Sequence, residues 1–172
     1  MENNLHVRHR LPRAFYLGLG SYFLTLCTRD RRKLFTSASL VGVLVGVMRE
    51  EFDHAGFSVG AYCFMPDHCH ILSISRDETS DLAQAVRAFK GVSATRARGL
   101  NVRSLWQRDY YDHALRSGEG LEFVASYIFA NPVRAGLAKD AHAWPFSGSF
   151  VFEWRLLPSP PNNFVPSWKN QV

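Results

Sequence analysis

Two rhythms of apolar and polar positions run along this 172-residue chain, one of period two and one near 3.6. Residues 21–28 (SYFLTLCT) are β-branched and aromatic with partial alternation, and they lie between Gly20 and the charged turn from Arg29, which predicts a first strand. Residues 37–55 open on capping residues and place Leu40, Val43, Leu44 and Val47 at helical spacing before Gly56, which predicts a first helix. Residues 57–65 and 69–75 read as two strands folded back at Pro66-Asp67. A second helix is expected over residues 80–98, with Ser80 as its cap, Leu82, Ala85 and Ala88 inward and arginines outward. A fourth strand is expected within residues 104–115. A third helix over residues 119–130 carries Leu121, Val124, Ala125 and Ile128 on its apolar side. The order βαββαβ with an added C-terminal helix is that of a ferredoxin-like antiparallel sheet of the α+β class, with helices on one face.

The length suits one domain over residues 1–156, with residues 1–20 as a basic arm and the Pro-rich residues 157–172 as an extended tail. Hydrophobic residues are 47% and charged residues 20%, a balance that folds rather than staying disordered. The longest apolar run, residues 40–48, is too short to span a bilayer, and the basic start leads into no signal-type core. A cytoplasmic location is the expectation. Cys27, Cys63 and Cys69 are too few for a disulfide framework and lie in apolar stretches, so reduced core thiols are expected.

Charge changes the picture. Lys plus Arg is 20 against 15 acids, the net charge is +5, and sixteen of the twenty basic residues are Arg. Arg suits bidentate recognition of phosphate, where a merely solubilising surface draws on Lys. The basic clusters are interleaved with Tyr16, Tyr22, Phe89, Trp106, Tyr110 and Tyr111. Cations beside aromatic platforms are how single-stranded bases and their backbone are held, so nucleic acid is the leading class of partner.

The chemistry-bearing residues are His68 and His70, with Tyr127 and Asn131. On a strand, residues two apart face one side; on a helix, residues four apart share a face. Two converging imidazoles can hold a divalent metal, and a tyrosine brought beside it is a candidate nucleophile for phosphodiester chemistry. Each has a blander reading. A histidine pair on a strand is ordinarily surface or satisfied polar structure, and a helical tyrosine is ordinarily half-buried core. Asn followed by Pro is a good cap and first-turn pair for another short helix. Cys63, His68, Cys69 and His70 could also be read as a structural zinc site, against which stands the alternation that sends Cys69 and His70 to opposite faces.

The stretches FMPDHCHILS, LWQRDYYDHALRS and YIFANPVRAGL, in that order and spacing, resemble those of the REP-associated tyrosine transposases, a branch of the single-tyrosine HUH endonucleases. The resemblance covers roughly residues 8–140. It implies a ferredoxin-like sheet and a metal-dependent enzyme that binds and cuts single-stranded DNA at palindromic hairpins, through a 5′-phosphotyrosine intermediate. His68 and His70 match the paired histidines, Tyr127 matches the nucleophile, and Asn131 stands where related enzymes place a third polar ligand for Mg²⁺ or Mn²⁺. Asp67, Asp112 and His113 are candidate bases by position, each with an ordinary turn or strand-end role beside it. The arm RHRLPR and the arginine-rich second helix are implied to grip the hairpin and its unpaired flank, with Arg8, Arg10, Arg13, Lys90 and Arg96 as contacts. The branch implies a monomer, with a helix-exchanged dimer as the alternative. A domesticated relative that holds hairpin DNA or RNA without cutting it is the competing function.

Overall fold

The computed structural model describes residues 13–157, so Arg8, Arg10 and nearly all of the tail lie outside the described residues. The elements are β1 (Ser21–Cys27), α1 (Ala38–His54), β2 (Phe57–Met65), β3 (His68–Ser75), α2 (Leu82–Arg98), β4 (Tyr111–Ala114), α3 (Leu121–Arg134) and β5 (Ser147–Gly148). The strands form one sheet in the order β4-β1-β3-β2-β5, and the pairings between neighbouring strands are antiparallel. The expected ferredoxin-like α+β architecture is therefore present, extended by the two-residue edge strand β5.

Both faces of the sheet are covered, which explains the incomplete alternation of β1. Tyr22, Leu24 and Leu26 point into a layer with Leu44, Phe52, Leu82 and Phe89 of α1 and α2. Phe23, on the other side, joins Ala61, Cys63 and Leu72 beneath Val124, Ala125, Tyr127 and Ile128 of α3. The third helix thus lies across the sheet from the other two, not on one face with them. Among the described residues no helix is long and apolar enough to cross a membrane.

Three local details depart from the sequence reading, each for a physical reason. Ser80 does not cap α2: its hydroxyl donates to the Gly56 carbonyl at 2.8 Å, and Asp81 accepts from Gln84 N at 3.0 Å instead. Gly56 permits this approach, since it is left-handed at φ 81° and a Cβ there would meet Ser80 Oγ at 2.6 Å. The fourth strand is only four residues long; before it Trp106 makes an isolated bridge to Thr28, and the Gln107 and Arg108 carbonyls accept from Lys90. Finally, Asn131-Pro132 does not start a new helix but lies inside α3. Proline cannot donate to the Ile128 carbonyl four residues back. The Asn131 side-chain amide does so at 3.2 Å, and it also reaches the Tyr127 carbonyl at 2.8 Å.

Candidate active site

His68 and His70 open β3 on the face that α3 covers, since Leu72, next in their period-two series, packs under that helix. Their Nε2 atoms lie 3.2 Å apart. The other ring nitrogens are held from behind: His68 Nδ1 by Asp67 Oδ1 at 2.6 Å, and His70 Nδ1 by Thr25 Oγ1 at 2.9 Å. The sheet supplies Thr25, because β1 pairs with β3 in the register Thr25↔His70. A carboxylate beside His68 Nδ1 accepts a hydrogen bond from the Nδ1–H tautomer, in which Nε2 keeps its lone pair. Metal-ligating histidines are oriented in the same way, with the far nitrogen donating to an oxygen.

The pair therefore fits a divalent cation as two nitrogen ligands. Among the described residues no three His, Cys, Asp or Glu side chains gather as a ligand set, so further donors would have to be oxygens of another kind. Asn131 offers one. Its amide nitrogen is engaged by the helix backbone, which leaves Oδ1 as the end that can act as a ligand. The zinc reading fails on placement: Cys69 belongs to the layer of α1 and α2, on the far side of the sheet from His70. Burial pushes the Cys63 thiol up to about 12 and raises that of Cys69 well above its ordinary value, as expected of core thiols.

Tyr127 lies on α3 and is fully buried. Its ring meets the edge of Phe23 at 6.1 Å between centroids, and Phe23 stacks on His70 at 5.2 Å and 27°. The Arg134 guanidinium, two helical turns on, covers the Tyr127 ring at 5.1 Å. Histidines and tyrosine are thus brought to one face around one phenylalanine.

The loop after β1 is fixed to the same corner. Thr28 N donates to the Asp67 carbonyl and Arg29 N to the Leu105 carbonyl, both at 2.9 Å. Arg32 donates to the Arg103 and Ser104 carbonyls. Asp30 and Arg31 are both left-handed, at φ 56° and 53°. A non-glycine residue so placed stores about 1–3 kcal/mol, which the surrounding hydrogen bonds must hold. The result is that the Arg31 guanidinium reaches Asp67 Oδ2 at 3.4 Å.

The remaining sequence candidates fall elsewhere. Arg13 is largely exposed and approaches Asp81 at 3.8 Å. Lys90 donates to the Gln107 and Arg108 carbonyls at 2.7 and 2.8 Å, and Arg96 bonds Glu50 at 2.8 Å. Asp112 accepts from the Tyr16 hydroxyl at 2.8 Å and pairs with Leu24, which puts it on the α1 and α2 side, away from Tyr127. His113 bonds Glu119 at 2.9 Å. Thr25, Phe23, Arg31 and Arg134 escaped the sequence reading. Arg31 lay in a basic cluster next to a strand end and Arg134 in the stretch YIFANPVRAGL, whereas Thr25 and Phe23 carried no signal.

A ferredoxin-like sheet with an extra helix laid over an H-x-H strand defines the class of protein. The chain belongs to the IS200-like transposase family, whose description, Transposase IS200 like, matches residues 18–131. It is 27% identical over 135 residues to the REP-associated tyrosine transposase of Escherichia coli (strain K12), covering 78% of this chain and 79% of that protein. It shares its fold with a solved REP-associated tyrosine transposase bound to a REP hairpin, at a TM-score of 0.67 and 24% identity, over 80% of this chain and 81% of that one.

Proposed function

We propose that this transposase is a metal-dependent single-stranded DNA endonuclease and strand transferase acting at palindromic repeat hairpins. The observation that carries the reading is the convergence of His68 and His70 Nε2 on the face covered by the helix of Tyr127. A relative with the same fold was solved on a REP hairpin, which supports hairpin DNA as the substrate.

Bound Mg²⁺ or Mn²⁺ would polarise the scissile phosphate and neutralise charge developing on it. His68, His70 and Asn131 Oδ1 are the residues that would hold it. Tyr127 Oη attacks phosphorus, the bond from phosphorus to the 3′ oxygen breaks, and the departing oxygen takes up a proton as a 3′-hydroxyl. The phenolic proton passes to water, and the product is a 5′-phosphotyrosine. Arg134 holds the Tyr127 ring in place from above. Attack by another strand's 3′-hydroxyl reverses the sequence and rejoins DNA, because the ester bond is conserved throughout.

The full burial of Tyr127 favours a second reading, a hairpin-binding protein that does not cut. The test is incubation with end-labelled hairpin oligonucleotides and Mg²⁺ or Mn²⁺, scoring denaturation-resistant adducts. Adducts that vanish in Tyr127→Phe establish the enzyme; binding without adducts across several repeats and both metals establishes the binder.

A further inference from the structure

Two side chains unused by that mechanism stand at the histidine end of the sheet. Tyr111 opens β4 and pairs with Thr25, which pairs on its other side with His70. The three form one row across the sheet, and the pleat gives them one face. Strands lie about 4.8 Å apart, so Tyr111 is about 10 Å from His70 across that face. Its ring meets Phe23 edge-on at 6.4 Å and keeps 37% of its surface exposed, on an edge strand where a long apolar ring gains little from the core. Arg31 stands beyond the end of β1, its side chain 58% exposed, with Asp67 engaging one of its five N–H donors. Two consecutive left-handed residues carry it there, an arrangement that an ordinary surface ion pair does not require.

We propose that Arg31 and Tyr111 form a nucleotide subsite flanking the histidine pair. Arg31 takes a backbone phosphate of the unpaired strand and Tyr111 stacks the base of a neighbouring nucleotide. The subsite rests on the reading of the protein as one that handles single-stranded DNA. Its chemistry is sequence-tolerant, since any base offers a π face and any nucleotide a phosphate.

The test uses the full chain carrying Tyr127→Phe, without metal, so that binding is read apart from cleavage. Probes are hairpin oligonucleotides whose unpaired flank carries 2-aminopurine at successive positions. Tyr111→Ala should weaken binding about 5- to 150-fold and abolish fluorescence quenching at one position, while Tyr111→Phe keeps both. Arg31→Ala and Arg31→Gly should both weaken binding and lower the slope of log affinity against log salt by about 0.7. Arg31→Gly removes the backbone strain together with the guanidinium, so it should unfold no earlier than the parent while binding worse. Unchanged affinity and quenching in Tyr111→Ala, or an unchanged salt slope in Arg31→Gly, overturns the subsite. Failure of cleavage is distinguished separately: parent protein with Tyr127 intact that binds, responds to these variants and forms no adduct leaves the subsite standing and removes the nuclease.

Discussion

His70 and Tyr127 are joined through a single ring: Phe23 stacks on the imidazole at 5.2 Å and receives the phenol at its edge at 6.1 Å. The strand that bears His68 and His70 and the helix that bears Tyr127 are thereby referenced to the same buried side chain, 1% exposed on β1. Phe23→Ala should cost about 3–5 kcal/mol in denaturant unfolding. Phe23→Leu should cost less in stability and still lower adduct yield, because a leucine fills volume without supplying the flat surface against which His70 is set.

Thr25 and Asp67 hold the two imidazoles from behind, and Asp67 also engages Arg31. Thr25→Val should weaken Mn²⁺ binding about 10- to 100-fold, and Thr25→Ser should restore it. Electron paramagnetic resonance titration of free Mn²⁺ reads this without any DNA present. Equal affinity in Thr25→Val and the parent would mean that His70 is not a ligand.

Asn131 bonds the backbone of its own helix, and its proposed role as a metal ligand can be separated from that one. Asn131→Ala should destabilise the fold by about 1–3 kcal/mol, since the Ile128 carbonyl then loses the donor that Pro132 cannot provide. Adding Pro132→Ala should return much of that loss by restoring a backbone N–H. Metal affinity should stay low in the double variant. Stability recovered together with full metal affinity would leave the side chain a purely structural role.

Alkaline pH should weaken the fold through the buried thiols. Burial raises Cys63 from an ordinary 9.0 to about 12, so the native state keeps a proton that the unfolded chain releases. That contribution is fully present below about pH 9 and is lost as pH rises toward 12. Urea midpoints measured from pH 8 to pH 11 should fall, and fall less steeply in Cys63→Ala. In native protein, alkylation should reach partly exposed Cys27 before Cys63 or Cys69.

Much of the fold was legible because it rests on local rules. The hairpin residues of β2 and the closing Gly56 of α1 came directly from alternation and turn chemistry. Tertiary partners overrode those rules where they failed. Ser80 was drawn from the cap by a carbonyl 24 residues away, and α3 ran past Pro132 because its neighbour's side chain could stand in for a missing N–H. The histidines announced themselves by spacing, whereas Thr25 lies 45 residues from its partner and becomes visible only once the strands are in register. The resemblance implied Lys90 as a DNA contact, and the structure adds that its ammonium donates to carbonyls of the segment leading to β4, a pairing that sequence spacing does not reveal.

The register Thr25↔His70 and Cys27↔His68 has a further bearing on how faulty copies of this protein fare. A slip of one residue would turn both imidazoles into the packed layer of α1 and α2 and bring Cys69 and Ile71 out beneath α3. Polar rings would then be buried without the oxygens that hold them, and the layer would lose its tightest contacts. A chain misaligned in this way is therefore destabilised relative to the native register. The register that packs the core is thus also the one that sets both histidines on the face of the helix bearing Tyr127.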